Sequence, residues 1–185
     1  MAPSIPQVPY DHTIYHAATN TSLHSVQALF DSKNAQSAIN TFIRDCFLKH
    51  GVEKTFSACV IHRHFDLAPN ERNIEENGRA IASKDLENIY PSHWLFHDGK
   101  LYPYEFTRGF NSGPVLPQEF VDELGRVLME NDLCDVIGVQ VYKDGVVGFE
   151  CTDHEKRVST TVEYGEEETP ETEGMVRASF AFFRC

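Results

Sequence analysis

The segment HWLFHDGKLYPYEF, residues 93 to 106, constrains the fold more than any other stretch of the chain. Asp98 and Gly99 both tolerate the positive φ of a two-residue type I′ turn, and aromatic and apolar residues flank them, so the segment reads as a β-hairpin. With the turn there, Phe96 faces Leu101, Leu95 faces Tyr102 and His93 faces Tyr104. Alternation then sets Trp94, Phe96 and Leu101 on one face as core candidates, and His93, His97, Tyr102 and Tyr104 on the other. Were residues 91 to 97 a helical turn instead, the i, i+4 spacing would still bring His93 and His97 together. VIGVQVYKDGVVGFEC, residues 136 to 151, repeats the pattern around Asp144-Gly145 and reads as a second hairpin.

Other strands are expected at KTFSACVIH, residues 54 to 62, which is apolar on both parities as in a strand covered on both faces, and at RVSTTVEY and MVRASFAFF near the C-terminus. In the last of these Val176, Ala178, Phe180 and Phe182 share a face. Helices are expected at residues 22 to 30, along the stripe Ala35, Ala38, Ile39, Phe42, Ile43, Cys46 and Phe47 with Gly51 as its stop, and after Pro117, where Phe120, Val121, Leu124, Val127 and Leu128 line one face. Residues 68 to 90 read as a long, polar, irregular connection, and long ordered loops tend to be lids or binding loops. The whole describes an α+β fold: an extended arm over residues 1 to 20, then a single domain over 21 to 185 whose mainly antiparallel sheet, curved or partly closed, carries two main amphipathic helices.

The chemistry-bearing residues gather near the first strand. In VIHRHFDL, residues 60 to 67, alternation points His62, His64 and Asp66 one way and Arg63 the other. Two imidazoles at i and i+2 can converge on one metal ion, with Asp66 as a further ligand or as the group that orients a ring. They can equally act as acid/base groups, since an imidazole has an unperturbed pKa of about 6.5. If the hairpin at Asp98-Gly99 lies beside this strand, His93, His97, Tyr102 and Tyr104 line the same concavity as His62, His64 and Asp66, with Glu105 at its rim, and Trp94 on the other face is a further substrate-binding candidate. In that picture Arg63 anchors the loop or a carboxylate. Each histidine taken singly reads more readily as a surface residue, as His12, His16, His24, His50 and His154 do. The aromatic cluster reads as packing, Cys59 as a core thiol. There is no Gly-rich phosphate loop, no GxSxG elbow, no HExxH and no EF-hand pattern.

Twenty-eight acidic residues against sixteen basic ones give a formal net charge of −12, without a Lys/Arg cluster, so nucleic acid and anionic membranes are not expected partners. Part of the charge lies in EEETPETE, residues 166 to 173, which reads as a solvated loop, or as a docking segment for a basic partner. Five cysteines without a CxxC pair suggest reduced thiols, and no segment approaches the roughly 20 apolar residues of a membrane span, so a cytoplasmic protein is expected.

HRHFDLAPNER and HWLFHDGKLYPYEF resemble motifs in an uncharacterised family of filamentous-fungal proteins, over residues 60 to 106. The resemblance implies a fungal setting, with small accessory enzymes of secondary metabolism as one niche, and assigns no reaction or catalytic residue. The functional expectation is a small enzyme that acts on an organic small molecule by histidine acid/base chemistry of the isomerase, cyclase, lyase or hydrolase type, with one divalent metal on His62 and His64 as a candidate cofactor. A non-catalytic metabolite-binding or protein-interaction domain is the alternative.

Overall fold

A computed structural model of the chain describes residues 4–20, 22–109, 113–143, 148–163 and 177–183. The hairpin at Asp98-Gly99 is present. Strand β4 (Ile89–His97) turns through Asp98 (φ 47°) and Gly99 (φ 70°) into β5 (Lys100–Arg108), pairing Phe96 with Leu101 and Leu95 with Tyr102. Nearer its start β4 carries irregularities on both sides of His93, which put His93 opposite Glu105 while Trp94 stays opposite Pro103 and Pro91 opposite Phe106. The expected His93–Tyr104 pairing is therefore replaced, because a bulge offsets the register by a residue.

The expected irregular connection over residues 68 to 90 is instead largely a second hairpin, β2 (Arg72–Glu76) and β3 (Arg79–Ser83). Asn77 and Gly78 take positive φ at its turn. Asn-Gly is itself a turn signal, and polar side chains on an outer hairpin obscured it.

The chain then builds β6 (Ile137–Val141), β7 (Gly148–Asp153), β8 (Val158–Glu163) and the short β9 (Ser179–Phe180), which join β1 (Phe56–Val60) in one sheet. Its order is β7-β8-β3-β2-β5-β4-β6-β1-β9, and every pairing except β2 with β5 is antiparallel. The sheet curls strongly into a half-barrel, so the chain is an α+β protein. The expected pairing across Asp144-Gly145 is not made: β6 lies between β4 and β1, whereas β7 pairs with β8 at the far edge. Ile137, Gly138 and Val139 are all buried, and a segment without a solvent face is driven to an interior position of the sheet, which outweighs a local turn preference. The turn residues themselves lie outside the described residues, as do the acidic stretch 166 to 173 and Val176.

Helices cover one face of the curl. The expected helices form at α2 (Leu23–Ser32), at α3 (Ala35–Ala38) and α4 (Arg44–His50), which the residues Ile39–Ile43 join through a kink at Thr41 (φ −118°, ψ −106°), and at α5 (Gln118–Glu130) directly after Pro117. Gly51 ends α4 with φ 65°, a left-handed cap. Phe30, Ile43 and Phe47 from these helices, with Phe120, Leu124 and Leu128 from α5, bury against Ala58, Val60, Trp94, Phe96, Val139 and Phe180 of the sheet. On the other face Ile61, Phe65, Leu67, Leu95, Tyr102 and Tyr104 form a smaller cluster closed by Tyr15. Tyr15 belongs to α1 (His12–Ala18), so the N-terminal arm drapes over the domain but contains a helix the sequence pattern did not suggest. No helix among the described residues is long and apolar enough to cross a membrane.

Candidate functional site

Regular pairing in β1 stops at Val60, and the chain bends through residues 61 to 66. Asn20 supports the bend: its side chain donates to the Ile61 carbonyl at 3.0 Å, and its own carbonyl accepts the Arg63 N–H at 2.8 Å. His62 and His64 both turn inward, 9% and 7% exposed, with ring centroids 4.9 Å apart and planes nearly perpendicular. Their neighbours diverge from them. The Arg63 guanidinium donates to the carbonyls of His16 and Thr19 and pairs with Asp66 at 3.0 Å, anchoring the arm. Asp66, its side chain 75% exposed, faces solvent and touches His16 rather than His62 or His64. Strict alternation would have placed it beside them, but the bend ends the strand before Asp66 is reached.

Two carboxylates complete the corner. Glu150, from edge strand β7, stands 3.4 Å from His62 Nε2 and 3.8 Å from His64 Nδ1. Glu105, on β5, lies behind, with Oε1 3.7 Å from His64 Nε2 and Oε2 3.4 Å from His93 Nδ1. Glu105 is 6% exposed, whereas the Glu150 side chain is 36% exposed and forms the solvent side of the corner.

Their surroundings drive the two acids apart. Burial pushes the Glu105 carboxyl up to about 8. Burial acts on Glu150 as well, but its bond to His62 and the charges of His64, His62 and His93 outweigh it and bring Glu150 down to about 2. The histidines divide likewise. Burial lowers His64 to about 4 and His93 to about 3. His62 is also penalised by burial, yet its bond to Glu150 and the field of both carboxylates raise it above the usual imidazole value.

Hydrogen bonds fix the rings. His62 Nδ1 lies 3.0 Å from the Val60 carbonyl, which can only accept, so Nδ1 carries a proton and Nε2 faces Glu150. His93 Nε2 donates to Gln140 Oε1 at 2.9 Å, and the Gln140 amide donates in turn to Ser57 and Ser179. Three buried polar atoms near Glu105 make no hydrogen bond: Glu105 Oε1 itself and both amide atoms of Asn73, which sits opposite Glu105 in the β2–β5 pair.

Of the remaining residues singled out by sequence, Tyr104 flanks the corner, its ring 5.7 Å from His93 and its hydroxyl 3.7 Å from Cys59 Sγ. Tyr102 packs in the smaller cluster, and Trp94 in the main core, edge-on to Phe56. His97 pairs with Asp98 at 3.5 Å and borders a different hollow of about 330 Å³, with Ala18, Asn20 and Cys134. Glu150 was not singled out from sequence. Its one signal is a lone carboxylate in the apolar run VVGFEC, and its partners lie 86 and 88 residues away.

The chain is thus an α+β protein with a histidine–carboxylate corner where the sheet curls back on itself. Comparisons with protein-family models, with curated proteins and with solved structures gave no match.

Proposed function

We propose that this protein is a small enzyme that acts on an organic small molecule at the corner formed by His62, His64, Glu105 and Glu150, by imidazole-centred chemistry of the isomerase, cyclase, lyase or hydrolase type. The observation that carries this reading is geometric: two perpendicular imidazoles stand between one buried and one solvent-facing carboxylate, each from a different strand. Such a set holds proton donors and acceptors at fixed positions, with Glu150 on its solvent side. A curled sheet supplies a rigid frame, and Gln140 and Ser92 hold His93 behind Glu105. The acidic chain and its free thiols Cys46, Cys59, Cys134 and Cys151 suit a reducing, cytoplasmic setting and a substrate other than nucleic acid.

The test is turnover. Wild-type protein and the His64→Ala variant are incubated with a library of small carbonyl compounds, esters and hydroxy acids, and each mixture is followed by mass spectrometry. Conversion by the wild type that the variant loses supports the enzyme. Ligands that shift the His62 and His64 ring signals in NMR yet are recovered unchanged favour the alternative, a metabolite-binding domain.

A further inference from the structure

We infer that His62 Nε2, His64 Nδ1 and the Glu150 carboxylate form a binding site for one divalent transition-metal ion of the zinc class, with a fourth position open to solvent. The donor atoms lie within 4.8 Å of one another. Ligand atoms held tetrahedrally at about 2.1 Å from an ion stand about 3.4 Å apart. Glu150 Oε2 is 3.4 Å from His62 Nε2 and 3.8 Å from His64 Nδ1, so small side-chain movements suffice.

Proton placement points the same way. Because His62 Nδ1 donates to the Val60 carbonyl, Nε2 is the ring atom that meets Glu150, at 3.4 Å. A zinc-class ion there takes the place of the proton that otherwise bridges Nε2 and the carboxylate. Ligation of His64 through Nδ1 leaves its proton on Nε2, which lies 3.7 Å from Glu105 Oε1, a buried oxygen without a hydrogen-bond partner. Each imidazole then has the outer support that metal-bound histidines use, a backbone carbonyl for His62 and a carboxylate for His64. The histidine side chains are 11% and 6% exposed against 36% for Glu150, so a water or substrate reaches the ion from the Glu150 side.

The other convergent set among the described residues, Cys46, His50 and Glu123, does not share these features. There Glu123 is already paired with Lys49 at 2.6 Å and with His50 at 2.9 Å, and Cys46 lies within the main core.

The site also has a structural consequence. Glu150 belongs to the first strand in the sheet order and the histidines follow the eighth, so the ion clasps the two ends of the half-barrel. What the ion does there rests on the enzymatic reading above; whether it binds does not.

The test uses full-length protein stripped with a chelator and titrated with Co²⁺, followed by competition with Zn²⁺. Expected are one ion per chain, the visible bands of a four-coordinate Co²⁺ site, and a thermal midpoint about 5–10 °C higher with Zn²⁺ at a hundredfold excess over Kd. Glu150→Gln and the double His62→Ala, His64→Ala variant should lose stoichiometric binding. Glu105→Gln should weaken it about ten- to a hundredfold, as a supporting group does, and Glu123→Gln should leave it unchanged. Wild-type protein that takes up no ion, or a loss with Glu123→Gln alone, overturns the site, and neither result depends on a damaged histidine variant folding. One bound ion without turnover of any substrate would uphold the site and count against the enzymatic reading, whereas turnover by wild-type protein shown to bind no ion would do the reverse.

Discussion

Arg157 holds together the two segments that form the corner, and its loss should be felt in both stability and metal uptake. It lies at the turn of the β7–β8 hairpin that carries Glu150, and it reaches back to the loop that carries His64. Its guanidinium donates to the Asp66 carbonyl at 2.7 and 3.2 Å, to Glu71 Oε1 at 3.3 Å, and to Glu71 Oε2 in a shorter bond. Glu71 is 7% exposed and also accepts the Ala68 N–H at 2.8 Å. A fully buried arrangement of this kind would contribute several kcal/mol, but the Arg157 side chain is 36% exposed. With that discount, Arg157→Gln should cost about 2 kcal/mol, or about 4–8 °C in thermal midpoint.

The pH dependence has a defined sign. The Arg157 bond, with the Ala68 N–H assisting, holds the Glu71 carboxyl down at about 2, below its usual value. A depressed folded-state pKa contributes stability that is complete above the unfolded value of about 4.3 and fades as pH falls through the folded one. Urea melts at neutral pH should therefore show the full difference between wild type and variant, with an unchanged m value. Melts at pH 3 should show a smaller difference. Midpoints that coincide at neutral pH, or a gap that widens toward acid, would refute the tether. Co²⁺ affinity should fall together with stability, since the His64–Glu150 spacing depends on the same loop.

Two further outcomes follow from the geometry. An alanine at Gly138, the second residue of β6, would put its Cβ 2.5 Å from the Trp94 carbonyl oxygen, a backbone atom that cannot swing away, so Gly138→Ala should lower stability by about 2–3 kcal/mol in urea melts; a change under about 0.5 kcal/mol would contradict the β4–β6 spacing. Asp66→Asn removes an exposed carboxylate that lies outside the corner, so metal stoichiometry and any turnover should match wild type, and a clear loss of either in titration or assay would return Asp66 to the site.

Local signals in the sequence led to much of this. Asp98-Gly99 specified a turn because both residues accept positive φ, and the α5 stripe specified a helix because Phe120, Val121, Leu124 and Leu128 recur at helical spacing. The i, i+2 spacing brought His62 and His64 together even though the strand had already ended. Other signals were present but overridden or overlooked. Asn77-Gly78 announces a hairpin within a polar stretch, and Asp144-Gly145 suggested a pairing that the burial of β6 does not permit.

What the sequence by itself determined is therefore short-range: where the chain turns, which helix faces are apolar, and which two imidazoles lie side by side. Tertiary structure alone decided the remainder of the corner. The bulge at His93 set Glu105 opposite it, and burial then altered that carboxyl's acidity. The curl of the sheet carried Glu150 from the far edge to His62 and His64. The reason is physical: backbone preferences act over a few residues, whereas register offsets, desolvation and sheet curvature come from the packing of the whole domain.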